Sequence, residues 1–244
     1  PAQVEEPAYG ELRVFLHVPT SGGRTLSDLA NDVVPTWGTG IKHDFDAADR
    51  KLLAEACAWP TLDVFLHGHL CMNDVLRFGT QPCGRRRTTF VVVLREPLRR
   101  GASWLLHEAP KWLYDEFKAG EAAWSDFLRQ EIENRLVFQI ADETLYHKRD
   151  ANASRVLRVA KAVLAEATVL YLSEVDAWMP AVAACAGRRS KHVKSRHLQD
   201  FRSLDDADRA NVARLNALDV DLFAWVRDRK PHSDRWACLQ KSRR

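Results

Sequence analysis

Apolar positions in this chain gather into short unbroken runs, and between and after the runs they recur at helical spacing. Runs at 13–17, 62–66, 90–94 and 168–172 read as strands. The third, within TTFVVVLREP, is rich in β-branched residues and does not alternate, the pattern of a strand buried on both faces of a parallel sheet. Helical patterns occupy 97–108, 122–134, 154–166 and 205–229. In the last of these, Ala210, Val212, Leu215, Leu218, Leu222 and Val226 form a stripe that reads as core packing. Strands followed by helices predict an α/β fold with a central, mainly parallel sheet flanked by helices. No internal repeat or low-complexity linker interrupts residues 1–244, which are expected to form a single domain.

Composition narrows the picture only a little. With 244 residues the chain can bury a sizeable core, and its formal charge of +3 is too small to argue for nucleic acid. Basic residues do cluster locally at 85–87, 188–196 and 241–244, where solvated faces are the ordinary explanation. The five cysteines, Cys57, Cys71, Cys83, Cys185 and Cys238, are scattered, and none forms a CxxC pair, so neither a disulfide scaffold nor a structural metal is expected. No apolar stretch approaches the roughly 20 residues of a membrane helix, and no signal peptide is visible. The chain opens on Pro1, which leaves room for a preceding anchor or targeting segment. A membrane attachment is expected only through such a segment, with a Golgi lumenal location if it exists and a cytoplasmic one otherwise. Asn152-Ala153-Ser154 is a glycosylation sequon, a triplet that also arises by chance.

Chemistry concentrates where the strand runs end. FLHVPTSGGRTLSDL, residues 15–29, reads as a strand, a glycine turn at Gly22–Gly23 and a helix start. Backbone N–H groups at such a turn, with hydroxyls from Thr20, Ser21 and Thr25, suit a phosphate or sulfate oxygen. An ordinary strand-turn-helix connection accounts for the same residues. GxxxxGK[ST] is not met, which disfavours a nucleotide kinase. Arg95 and His67 follow two other strand runs, so three polar sites converge beyond the carboxyl ends of the sheet.

These residues resemble a known family. FLHVPTSGGRTL is similar to the 5′-phosphosulfate loop, commonly HIPKTGGTSL, of carbohydrate sulfotransferases that use 3′-phosphoadenosine 5′-phosphosulfate (PAPS). LREPLRRGASWL resembles their 3′-phosphate signature, R-[DE]-P-x-x-R-x-x-S, with Arg95, Glu96, Pro97, Arg100 and Ser103 in register. FLHGHLC resembles the YHGH segment of heparan sulfate and uronyl 2-O-sulfotransferases, and SEVDAWMPAV and LNALDVDLFAWV resemble the tail of the same family. The resemblance implies a P-loop-like sulfotransferase domain with PAPS as donor and PAP as product. Cofactor contacts would come from Thr20, Ser21, Gly22, Gly23, Arg24, Thr25, Leu26, Arg95 and Ser103. A basic loop at Lys194, Ser195 and Arg196 sits where the family closes over the nucleotide, although a solvated loop is the alternative there. His69 falls at the family's general base and His67 at its companion; an exposed or structural histidine pair is the other reading. The implied partner is a hydroxyl acceptor, a carbohydrate first. Sulfation of a small alcohol, phenol or tyrosine is the second expectation, and a non-catalytic binder of PAP or of sulfated glycan the third.

The chemistry suits those positions, with one departure. Arg95 at a strand end and Ser103 about two helical turns into the next helix can grip one phosphate from two directions; surface ion pairing of Arg95 and Arg100 is the competing reading. The family's loop carries a lysine, in some relatives an arginine, directly after the proline, and this chain has Thr20. Losing a preorganised charge at the leaving oxygen costs about 3–4 kcal/mol in the transition state. Arg24 is the natural substitute, with Lys42, Lys194 and Arg196 as further sources of charge.

Overall fold

The computed structural model describes residues 12–16, 18, 21, 36–37, 64–68, 88–141, 152–185 and 200–235. Five strands, β1 (Leu12–Leu16), β2 (Thr36–Trp37), β3 (Val64–Gly68), β4 (Thr88–Leu94) and β5 (Thr168–Tyr171), form one sheet in the order β2-β3-β1-β4-β5. Every pairing between neighbours is parallel. The α/β expectation is therefore met, and Val91, Val92, Val93 and Leu94 are all buried, as their uninterrupted β-branched run requires.

Alternate residues of β1, β4 and β5 feed different cores. Val14, Leu16, Val92, Leu94, Val169 and Tyr171 pack with helices α4 (Arg135–Ala141), α5 (Ala153–Glu166) and α9 (Ala217–Arg229) on one face. Phe15, Val91, Val93 and Leu170 pack with Trp178, Met179 and Val182 of α6 (Val175–Cys185) on the other. A third cluster joins α1 (Pro97–Ser103), α2 (Lys111–Ala119), α3 (Asp126–Ile132) and α8 (Asp206–Leu215); the short α7 (Asp200–Ser203) precedes α8. Among the described residues no helix is long and apolar enough to cross a membrane.

β5 lies at one end of the sheet, and the segment after α9 covers it. Val169 N–H donates to Asp234 Oδ2 at 2.7 Å, Asp234 N–H returns a bond to Val169 O at 2.8 Å, and Tyr171 N–H donates to Ser233 Oγ at 2.9 Å. Those side chains satisfy donors that an edge strand otherwise leaves open.

Several boundaries differ from the sequence expectation, each for a physical reason. The pattern at 205–229 is not one helix: it breaks at Asn216, whose amide turns back onto Val212 O at 2.8 Å and whose backbone leaves helical geometry. Val212, Leu215, Leu222 and Val226 of the stripe are buried all the same, as expected. The pattern at 97–108 is α-helical only to Ser103, then widens into a π-helical turn, Trp104–Glu108, closed by Ala109 N–H on Trp104 O at 2.8 Å. At 122–134 the helix is shorter, Asp126–Ile132, because Ser125 caps it through Leu128 N–H. The strand expected at 62–66 runs from Val64 to Gly68, drawn onward by parallel pairing with β1. β2 and helices α2, α4 and α6 were not anticipated.

Candidate functional site

The two central strands define the place. From β1 the chain goes to β2 on one side of the sheet, and from β4 it goes to β5 on the other, so the strand order reverses between these neighbours. Open α/β sheets bind ligands beyond the carboxyl ends of the strands at such a switch point. Leu16 pairs with Gly68 on one side and Val92 on the other, which brings the ends of β1, β3 and β4 to one rim.

A buried polar side chain follows each central strand, Ser21 five residues after β1 and Arg95 directly after β4. After β1, Ser21 N–H closes a turn on Val18 O at 3.2 Å. Ser21 is 1 % exposed, and its Oγ has no hydrogen-bond partner among the described residues. A buried hydroxyl normally finds a partner, so Ser21 is an exception among the described residues. After β4, Arg95 is 7 % exposed. The next residue, Glu96, caps α1: its two carboxylate oxygens accept from Leu98 N–H at 3.1 Å and Arg99 N–H at 2.8 Å, and Pro97 supplies the preset first helical residue. Ser103, the last residue of α1, is buried as well. Arg95 and Ser103 thus bracket one short helix, which spans about 10 Å at 1.5 Å per residue.

Arg100, the remaining basic residue of the signature, has a different environment from the surface pairing weighed above. Its Nη2 donates to Ile132 O at 3.1 Å and to Asn216 Oδ1 at 2.9 Å, and lies 3.6 Å from Asp219 Oδ2. Arg100, Asn216 and Asp219 are all fully buried. Complete burial pushes the Asp219 carboxyl above its ordinary value, against the pull of Arg100 and of Val137 and Leu136 N–H groups. Arg95 is likewise buried rather than a surface partner. Asn216 and Asp219 escaped sequence reasoning, yet a signal was present. Asp219 stands four residues after Leu215 and three before Leu222, on the apolar stripe itself, and a carboxylate at a core position demands a buried cation.

His67 lies within β3, not after it, paired in register with Phe15, and the strand continues through Gly68 rather than turning there. His69, Thr20, Gly22, Gly23, Arg24, Thr25, Leu26, Lys42, Lys194, Ser195 and Arg196 lie outside the described residues. Asn152 of the sequon is exposed and caps α5, its Oδ1 accepting Arg155 N–H at 3.1 Å. Among the described residues no three His, Cys, Asp or Glu side chains gather as a metal site. Neither a protein-family model nor a curated protein matches the chain.

Proposed function

We propose that the chain is a PAPS-dependent sulfotransferase with a P-loop-like domain, moving a sulfuryl group from PAPS to a hydroxyl, first of all that of a carbohydrate. One observation carries the reading: the neighbouring central strands β1 and β4, at the switch point of a parallel sheet, are each followed by a buried polar side chain, Ser21 five residues after β1 and Arg95 directly after β4. The sequence resemblance independently assigns those two residues to the 5′-phosphosulfate loop and the 3′-phosphate signature.

In this reading Ser21, with the turn's N–H groups, holds the phosphosulfate, and Arg95 with Ser103 holds the 3′-phosphate. Arg95 gives a charge-assisted, bidentate grip, and Ser103 adds a hydroxyl. Transfer resembles phosphoryl transfer, in which positioning and charge stabilisation supply most of the catalysis. The acceptor oxygen forms a bond to sulfur as the bond from sulfur to the phosphate oxygen breaks. His69 takes the acceptor's proton, His67 orients the acceptor or its neighbour, and PAP departs with the electron pair. Arg24 stabilises the leaving oxygen in place of the lysine that Thr20 replaces. Thr20 also favours a second reading, a non-catalytic binder of PAP.

Turnover of labelled PAPS over a panel of carbohydrate, phenol and peptide acceptors separates the two. Transfer to a carbohydrate, lowered about 100-fold or more by His69→Ala with nucleotide affinity kept, supports the enzyme. Tight PAP binding without transfer to any acceptor supports the binder. A chain that binds neither PAP nor PAPS rejects both. Arg95→Ala is expected to weaken PAP by about 1.5–3 kcal/mol and adenosine 5′-phosphosulfate hardly at all; equal losses remove Arg95 from the 3′-phosphate.

A further inference from the structure

Helix α1 and the π-helical turn that continues it form one run, Pro97–Glu108, and isolated helices of about 12 residues are marginal in water. Packing must fix where Arg95 points before this run and where Ser103 stands within it.

Arg100 lies between those two residues and reaches into a junction of four other helices. It meets the last carbonyl of α3 at Ile132, the residue between α8 and α9 at Asn216, and the first turn of α9 at Asp219. Asp219 in turn receives the first N–H groups of α4, Leu136 at 3.1 Å and Val137 at 2.8 Å. Asn216 is held in place by its own bond to Val212 O. Beside Arg100, a Cβ built on Gly101 would stand 3.0 Å from Val212 Cγ1 and 3.2 Å from Asn216 Nδ2, so α1 lies almost in backbone contact with the same junction. The position of α1 is therefore tied to residues from 32 to 119 positions further along the chain.

We propose that Asp219 and Asn216 are positioning residues for anion selectivity: acting through Arg100, they set the placement of α1 that lets Arg95 and Ser103 close on one phosphate. This rests on the nucleotide reading above. A phosphate shared by two side chains requires each to lie within about 3 Å of an oxygen, so a shift of α1 by about 1 Å separates the pair while leaving the β1 turn untouched. Loss of the junction should weaken recognition of the 3′-phosphate and spare recognition of the 5′-phosphosulfate.

Asp219→Asn keeps the side-chain volume and removes the charge facing Arg100. Binding of PAP and of adenosine 5′-phosphosulfate, which lacks the 3′-phosphate, is measured by calorimetry well below the unfolding midpoint of each protein. The expected result is a loss of about 10-fold in PAP affinity with less than a twofold change for adenosine 5′-phosphosulfate. A role in stability alone lowers the midpoint and leaves that ratio unchanged, and an unchanged ratio in a folded variant overturns the proposal. Should Asp219→Asn not fold, Asn216→Ser takes its place, because it leaves Asp219 opposite Arg100 and disturbs the junction less. Wild-type protein indifferent to the 3′-phosphate would overturn the nucleotide reading itself. A wild type that prefers PAP, beside a variant with the same preference, overturns only the role of the junction.

Discussion

Asn134 and Asp219 cap one another's helices. Asn134, immediately before α4, accepts Leu218 N–H at 2.9 Å and Asp219 N–H at 3.4 Å at the start of α9. Asp219, in that first turn of α9, accepts Leu136 and Val137 N–H at the start of α4. Each helix leaves early N–H groups without an internal partner, and here two helices satisfy them reciprocally. Asn134 reaches this position in the left-handed region at φ 46°, which asparagine tolerates better than most residues.

Asn134→Gly is accordingly expected to cost about 1 kcal/mol, the loss of a cap. Asn134→Ala should cost about 2–3 kcal/mol, because alanine adds left-handed strain of about 1–2 kcal/mol. Asp219→Ala should cost more than either, about 3–5 kcal/mol, since it also strands the buried Arg100. Urea unfolding measures all three, and equal losses for the alanine and glycine variants at 134 would remove the strain argument.

Gly101→Ala tests the closeness of α1 to its neighbours. The new methyl would press on Val212 and Asn216, with Asn216 itself tied to Arg100. Overpacking of a buried contact costs about 1–3 kcal/mol, against a gain in helix propensity of less than 1 kcal/mol for replacing glycine. Net destabilisation is expected by thermal unfolding. A stabilised Gly101→Ala protein would mean that α1 has room to move.

Acid should loosen the cover over β5 through Glu174. Burial alone would push this carboxyl up, but hydrogen bonds from Ser233 N–H at 2.6 Å and Arg227 Nη1 at 2.8 Å outweigh it and hold it below its ordinary value of 4.5. A carboxylate lowered in the folded state contributes stability that is complete above its unfolded pKa and lost as pH falls through the folded one. The stability gap between wild type and Glu174→Gln, on the order of 1 kcal/mol for partly wet charge-assisted bonds, should therefore shrink as pH falls below about 4.5. A gap that widens below that pH would reverse the assignment.

Local pattern carried much of the fold. The β-branched run at 90–94 announced a doubly buried strand, and Glu96-Pro97 announced the helix that follows Arg95, because both signals are contained within a few residues. Asn216 did not announce its break: its neighbours keep helical period on both sides, and the bond that holds it comes from Arg100, 116 positions earlier. The same distance hid the junction. Arg100 was legible only as a signature position with surface pairing as its alternative, and Asp219 only as a carboxylate on an apolar stripe; that they meet, 3.6 Å apart in the core, depends on the fold. The identities of Ser21, Arg95 and Ser103 were legible as motif positions, whereas their burial belongs to the assembled fold.

Ser21 offers a test in which stability and binding move in opposite directions. Its buried Oγ lacks a partner among the described residues, so Ser21→Ala removes an unsatisfied polar group and should stabilise the ligand-free protein by about 1 kcal/mol, within the range for such groups. If the hydroxyl is held for the phosphosulfate, the same change should weaken PAPS by about 1 kcal/mol or more, because the bound anion loses a donor it had been given. Thermal unfolding without nucleotide and calorimetry with PAPS measure the two arms. A variant stabilised in the free state with PAPS affinity unchanged would leave Ser21 as a buried turn residue only, and would move the phosphosulfate away from the end of β1.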